Sequence, residues 1–517
     1  MEKIKILWVD DEIEILKPHI IFLEQKGYEV DTSNNGDEGL EMIFSRPYDI
    51  VFLDENMPGL TGIETLEKIK KRYPNLPVVM ITKSEEESIM EDAIGSNISD
   101  FLIKPVKPNQ ILLSLKKNLD NKKLVSEKTT SSYQQEFRNI SMDISNNPDH
   151  KGWVEIFRNL TRWELELDKS SDESMQEVLQ FQKNEANQVF SRYVENKYLN
   201  WLNGREKDYP VMSPSLFKEK IFPLMDGNDS LFVILIDNLR YDQWKAIQPI
   251  LEEFYRVDKE DIYFSILPTT TQYARNAIFA GLMPLEIERK YPKYWVAEEE
   301  EGTKNQFEGE LLGEQLKRNG KDVKYSYHKI LNLTAGRKLV ENLPNLLSNK
   351  LTVIVYNFVD MLSHARTEME IIRELADDEK AYRSLMLSWF NNSPLLDIIK
   401  YLAEKKVNLV ITTDHGSVRS QDPVKVIGDR NTTTNLRYKS GKSLNYNQKE
   451  VFEVRNPHDA YLPKTNVSSA FIFCRSNDFF AYPNNYNYYV NYYRNTFQHG
   501  GISLEEMLVP VAYLKAK

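Results

Sequence analysis

The stretch VNLVITTDHGS, residues 407–417, decides how the larger half of this chain is read. Its first part is largely apolar and strand-length, the pattern of a strand buried on both faces. It then runs into Asp414, His415 and Gly416. A charge at the end of a buried strand is costly unless something compensates it, and a metal ion is one such partner. The pattern recurs. SLFVILID (230–237) ends in Asp237, and LTVIVYNF (351–358) leads into VDMLSH, with Asp360 and His364 four residues apart. That spacing puts both on one face if the segment is helical. His499 stands in QHGGIS, where Gly500 and Gly501 permit close backbone approach. Three carboxylates and three imidazoles thus come from four places. Mixed nitrogen and oxygen ligands suit Zn²⁺, with Mn²⁺ as second choice. Six ligands are too many for one tetrahedral ion and right for two.

Between the first two ligand segments lies ILPTTTQYARNAIFAGL (266–282), where a strand ends, threonines follow and a helix begins. A helix N-terminus attracts anions. Thr271 is placed there as nucleophile, its hydroxyl deprotonated by a metal, while two metals stabilise the attacking and leaving oxygens of a phosphoryl displacement. Thr269 and Thr270 read as helix-capping residues. Arg275 and Asn276, one turn further on, read as phosphate contacts or as solvent-facing. His150 and His328 lack convergent partners, His19 reads as a surface residue, and His458 is unassigned. Further strands are expected at 262–267, 323–328 and 468–474, mostly separated by helix-length segments, so a second α/β sheet is predicted. The segment 421–464 looks inserted. Its Arg430, Arg437, Lys439 and Lys442, interleaved with Tyr438 and Tyr446, either grip a nucleotide or line a solvated loop.

Residues 1–120 show strands at 5–9, 28–32, 50–53, 77–81 and 101–103 with helical patterns between them. This is a doubly wound parallel sheet. WVDDE places Asp10 and Asp11 after the first strand, VFLDENMPG places Asp54 at the end of the third, Thr82 ends the fourth and Lys104 follows the fifth. Strand C-ends share one edge, where ligands bind. Three carboxylates there need a cation, and oxygen ligands suit Mg²⁺. An aspartate can accept a phosphoryl group, which the lysine and the hydroxyl would contact. From 121 to 205 the chain is polar, lacks strand signals and spaces apolar residues helically in WVEIFRNLTRWELEL (153–167), so it reads as a helical connector.

The 517 residues allow two to four domains, and 66 Lys+Arg against 77 Asp+Glu argue against a general nucleic-acid-coating surface. The one cysteine, Cys474, excludes an intramolecular disulfide and a cysteine zinc cluster. The apolar runs fall short of the ~20 residues of a membrane span, and the start of the chain has no signal-peptide core. A cytoplasmic protein without membrane insertion is expected.

Residues 1–120 resemble the receiver domain of two-component response regulators. The resemblance implies that Asp54 takes phosphate from a sensor histidine kinase with Mg²⁺ at Asp10, Asp11 and Asp54. It also implies that Thr82, Phe101 and Lys104, before an expected cis Pro105, relay the change, and that phosphorylation promotes a homodimer. Residues 206–517 resemble the alkaline phosphatase superfamily, and within it the PglZ-type domain. That resemblance implies one ion at Asp237, Thr271, Asp414 and His415 and another at Asp360, His364 and His499. No clear third ligand set is present, so a phosphodiester is favoured over a monoester, and a nucleotide or short oligonucleotide is the expected substrate. The whole arrangement, α/β receiver (1–120), helical connector (121–205) and alkaline-phosphatase-like α/β domain (206–517), is similar to the PorX-like response regulators linked to type IX secretion. The competing reading is a non-enzymatic regulator that binds a sigma factor or a secretion-system component through the metal-bearing domain. No amphipathic basic helix favours a lipid- or glycan-linked phosphate. No helix-turn-helix signal follows the receiver, so direct DNA binding is not expected.

Overall fold

The computed structural model describes residues 4–74, 76–82, 98–169, 173–227, 229–297, 300, 302–376, 378–429, 432–464 and 468–517. The chain divides into two compact units, residues 1–132 and 133–517.

In the first unit, β1 (Lys5–Val9), β2 (Glu29–Ser33), β3 (Ile50–Asp54), β4 (Val78–Thr82) and β5 (Asp100–Ile103) form a parallel sheet in the order β2-β1-β3-β4-β5. Successive side chains of a strand point to opposite faces. Leu7, Val9, Val51 and Leu53 therefore pack on one side, with Leu66 and Ile69. Ile6, Trp8, Ile50 and Phe52 pack on the other, with Leu23 and Leu115. The covering helices are α1 (Lys17–Gln25), α2 (Gly36–Ser45), α3 (Gly62–Arg72) and the start of α4 (Pro108–Ser145). A capping box at Thr61 and Glu64 starts α3. The helix expected between β4 and β5 falls in 83–97, outside the described residues.

The second unit opens with helices. The end of α4, α5 (His150–Leu167) and α6 (Glu173–Leu202) bury Tyr133, Ile140, Trp153, Phe157, Leu160 and Phe190 in one core. That core is continuous with the sheet behind it, where Phe190 and Trp201 meet Phe264. The sheet contains β6 (Leu231–Ile236), β7 (Tyr255–Phe264), β8 (Tyr325–Ile330), β9 (Leu351–Tyr356), β10 (Asn408–Thr412) and β11 (Leu508–Ala516). Its order is β7-β11-β10-β6-β9-β8, with β11 antiparallel to both neighbours. The strand expected at 468–474 is found as Ala470–Phe473, but not in this sheet. It pairs with Tyr438–Gly441 and Phe452–Val454 in a separate three-stranded sheet. The inserted segment 421–464 is accordingly folded. Asp422–Ile427 also pairs in parallel with Asp478–Ala481.

Candidate active site

Strands β6, β9 and β10 run parallel and adjacent, so their C-terminal ends open on one edge of the sheet. Asp237 leaves β6, and Asp414 and His415 leave β10. Asp360 and His364 sit on the helix Phe358–Glu368 that follows β9. The structure brings the six together as two trios. In each of Asp237/Asp414/His415 and Asp360/His364/His499, one ligand atom per residue lies within 4.8 Å of the others. In the first trio, His415 Nε2 is 3.7 Å from both Asp237 Oδ1 and Asp414 Oδ2. In the second, His364 Nε2 and His499 Nε2 are each 3.5 Å from the Asp360 carboxylate. The trios adjoin, since the rings of His415 and His499 stack at 4.3 Å. Asn238 spans them, its backbone N–H donating to Asp414 Oδ1 and its Nδ2 to Asp360 Oδ1, both at 3.3 Å.

The imidazoles are aimed by their other nitrogens. His415 Nδ1 is 3.1 Å from Gly416 O, and His499 Nδ1 is 3.2 Å from Thr269 O. Each contact holds the ring with Nε2 toward the carboxylates, the usual way of orienting a metal-ligating histidine. Gly416 is required here, because a Cβ would lie 2.1 Å from Glu505 O.

The electrostatics fit a divalent cation. Burial, then the Asp237 charge, pushes the Asp414 carboxyl well above its ordinary range, and burial raises Asp360 to about 6. Burial and the two neighbouring imidazoles push His499 well down. Asp414 Oδ2 has no hydrogen-bond partner among the described residues. A 2+ ion at either trio would supply the missing counter-charge and favour the ionised carboxylates and neutral imidazoles that ligation needs.

Thr271 meets the first trio. Its Oγ1 lies 3.3 Å from Asp237 Oδ1 and 3.2 Å from His415 Nε2. Thr269 and Thr270 do not cap as expected. Thr270 stands at the cap position without a side-chain capping bond. Thr269 Oγ1 accepts from Gly500 N and donates to Gly501 O, both at 3.0 Å, so it latches the segment that carries His499. Neither Arg275 nor Asn276 faces solvent. Arg275 is 1% exposed, with Nη1 2.6 Å from Asp237 Oδ2 and Nε 2.5 Å from Glu308 Oε1. Its guanidinium is taken up in holding a candidate ligand, and burial of that charge is offset by the two carboxylates. Burial raises the Asp237 carboxyl, but Arg275 and His415 outweigh it and hold it below its usual range. Asn276 is buried and donates to Gln272 O and Lys304 O.

A cleft of about 620 Å³ opens over the trios, with Lys329, Asn305, Asn357, Asn435 and Tyr438 among its walls. Of the basic residues expected to grip a nucleotide, Arg437 is buried against Glu506 at 2.5 Å, and Lys439 Nζ donates to Thr433 O at 2.8 Å. Tyr446 OH donates to Glu453, Lys442 is exposed, and Arg430 lies outside the described residues. Of the described members of that set, only Tyr438 lines the cleft. A further acidic group, Glu164, Asp242 and Glu379, also converges. Arg383 is 2.5 Å from both Glu164 and Asp242, and Arg240 is 2.5 Å from Glu379, so this group is neutralised by protein cations.

In the first unit, Asp10 and Asp54 are buried and Asp11 is exposed, and the three offer oxygens within 4.8 Å of one another. Lys104 Nζ is 3.0 Å from Asp10 and 2.8 Å from Asp54. Burial, against the Lys104 hydrogen bond, raises the Asp54 carboxyl. Thr82 is buried at the end of β4, Phe101 is half-buried on β5, and the Lys104–Pro105 bond is cis. Gly62 admits no side chain, since a Cβ would lie 2.2 Å from Asp54 O.

Comparison with known proteins agrees with this geometry. Residues 6–116 match the response regulator receiver domain, residues 123–202 the PorX response regulator linker domain, and residues 216–514 the BREX system PglZ alkaline phosphatase-like domain. Over 112 residues, 22% of the chain, the receiver is 34% identical to the transcriptional regulatory protein ResD of Bacillus subtilis, covering 46% of that protein. It is 38% identical to a CpxR homolog of Haemophilus influenzae over a stretch of the same length, covering 48% of it. The matches thus span about half the length of these relatives. The solved chemotaxis protein CheY4 of Vibrio cholerae is 32% identical, with 22% of this chain and 98% of that one covered and a TM-score of 0.21. The class is therefore a PorX-like architecture, a receiver and a linker followed by an alkaline phosphatase-like domain. By the match over 216–514, more than half its length, the chain belongs to the PglZ family.

Proposed function

We propose that the chain is a response regulator in which phosphorylation of Asp54 by a sensor histidine kinase controls a two-zinc phosphodiesterase acting on nucleotides or short oligonucleotides. Mg²⁺ at Asp10, Asp11 and Asp54 serves the phosphorylation, and the phosphorylated chain forms a homodimer. Its setting is cytoplasmic regulation of type IX secretion. The observation that carries the catalytic reading is the Thr271 hydroxyl, 3.3 Å from Asp237 and 3.2 Å from His415 at the rim of two adjoining trios. Asp237, Asp414 and His415 with Thr271 would hold one ion, and Asp360, His364 and His499 the other. Ions bound there would lower the hydroxyl's pKa and offset charge on the transferring phosphoryl group. Thr271 would attack phosphorus, forming a phosphothreonine while the ester alcohol leaves with the proton, and water would then cleave that link to release the monoester and restore the hydroxyl. Asn305, donating to Thr271 O at 2.9 Å, keeps the nucleophile's backbone in place. Arg275 holds Asp237 ionised for its ligand role, and Tyr438, packed on Phe471, forms part of the cleft wall.

The test is hydrolysis of a chromogenic phosphodiester and its matching monoester by zinc-loaded protein treated with beryllofluoride. Wild type cleaves the diester faster, Thr271→Ala loses the activity, and Thr271→Ser keeps part of it. Activity in Thr271→Ala equal to wild type removes the nucleophile. No hydrolysis of either ester by wild type leaves the non-enzymatic regulator in its place.

A further inference from the structure

Helix α6 carries a polar stripe that faces inward. Asn187, Ser191 and Tyr198 are 3%, 0% and 1% exposed, and their spacing of four and seven residues puts them on one face. That face meets the two backbone segments that present Thr271 and His499. The Tyr198 hydroxyl accepts from Leu267 N at 2.9 Å, four residues before Thr271. Asn187 Oδ1 accepts from Leu504 N at 2.7 Å, and its Nδ2 donates to Glu505 Oε2 at 2.9 Å. Ser191 Oγ lies 3.2 Å from Ile502 O and accepts from Ser476 N at 3.0 Å. The two segments are tied to each other through Thr269, which bonds Gly500 and Gly501. At its other end α6 is pinned as well. Gln182 Nε2 donates to Phe137 O and Ser141 Oγ on α4 at 2.9 and 2.8 Å.

An apolar stripe would bury the same area without fixing a register. Buried polar groups must be paired, so each of these bonds admits one height of the helix against the segments it touches.

We propose that Asn187 and Ser191, through the 500–506 segment, are positioning residues for His499, and that Tyr198 is one for Thr271. This rests on the two-metal reading above. Asn187 and Ser191 hold the segment that carries His499, and Glu505 and Glu506 of that segment also back Gly416, next to His415. Loss of an outer partner of a ligand typically lowers metal affinity by about 10–100-fold.

The experiment is zinc titration of the full chain against a chromogenic chelator, with circular dichroism and thermal melting on the same samples. Asn187→Leu should weaken the zinc site that includes His499 by about tenfold. Asn187→Asp alone sets two carboxylates together and should weaken the same site. The exchange Asn187→Asp with Glu505→Gln reverses the donor and acceptor, restores the contact and should return the affinity. Ser191→Ala is the milder probe should Asn187→Leu fail to fold, and it should affect the same site. Tyr198→Phe should leave the zinc site that includes His499 unchanged and lower kcat on the diester with KM unchanged. Two undisturbed sites in Asn187→Leu and Ser191→Ala, or no recovery in the double exchange, overturns the positioning of His499. An unchanged kcat in Tyr198→Phe overturns that of Thr271. Wild type that takes up no zinc overturns the two-metal reading itself.

Discussion

Replacing Arg437 with methionine strips a buried carboxylate of its partner. Arg437 and Glu506 have fully buried side chains and meet through Nε–Oε1 at 3.1 Å and Nη2–Oε2 at 2.5 Å. Glu506 also accepts from Gly501 N at 2.9 Å and from Ser503 Oγ at 2.7 Å, so it cannot swing out to water without releasing the segment beside His499. Removing one partner of a buried pair costs about 3–5 kcal/mol, because the remaining charge is uncompensated. For a unit spanning residues 133–517, an unfolding entropy of ~2.1 cal/mol/K per residue sums to about 0.8 kcal/mol/K. The midpoint should therefore fall by about 4–6 °C in Arg437→Met, measured by scanning calorimetry on metal-free protein. Arg437→Met/Glu506→Gln removes both charges while keeping the acceptor for Gly501, and should regain more than half of the loss. An Arg437→Met midpoint within 1 °C of wild type, or a double variant less stable than the single one, refutes the reasoning.

Elemental analysis of purified protein should find close to two transition-metal ions per chain, and one in His364→Ala or His415→Ala. Acyl phosphate with Mg²⁺ should label wild type and not Asp54→Ala, and beryllofluoride should raise the sedimentation coefficient of wild type only. Burial raises Asp478 from 3.8 to about 7 against the opposing pull of Arg437. With the folded value above the unfolded one, its contribution to stability is lost as pH rises from about 4 to 7 and is flat above that. Urea midpoints of wild type and Asp478→Asn should therefore diverge across that window, the variant gaining with pH.

The legible part of the site was the part written in single strands. Asp237, Asp360 and Asp414 each follow a largely apolar run, and the parallel order of β6, β9 and β10 brings them together at one edge. His364 came from helical spacing and His499 from its glycines. In the receiver, the ends of β1, β3, β4 and β5 could be read the same way. What stayed hidden depends on partners far apart in the chain. Arg275 binds Glu308 and Arg437 binds Glu506, and an isolated arginine beside a candidate nucleophile looks the same in sequence whether it meets phosphate or a buried acid. Thr269 looked like a cap because Gly500 and Gly501, its actual partners, lie more than 200 positions on. Strand β11 was missed because Pro510 and the two closing lysines blur its pattern, and nothing local marks it for insertion between β7 and β10.

That insertion sets the order in which the molecule can be made. Strand β11 emerges from the ribosome roughly 250 residues after the β7 it joins, which at ~5–20 residues per second is a wait on the order of 10–50 s. Until it arrives β7 lacks the strand it pairs with and β10, once made, has only β6 beside it, although Tyr263 and Ser265 bond the backbone of Thr413 and Asp414. The receiver, complete within the first quarter of synthesis, can fold long before. A nascent chain would therefore be able to fold its receiver well before the candidate metal ligands of the second unit are held in place.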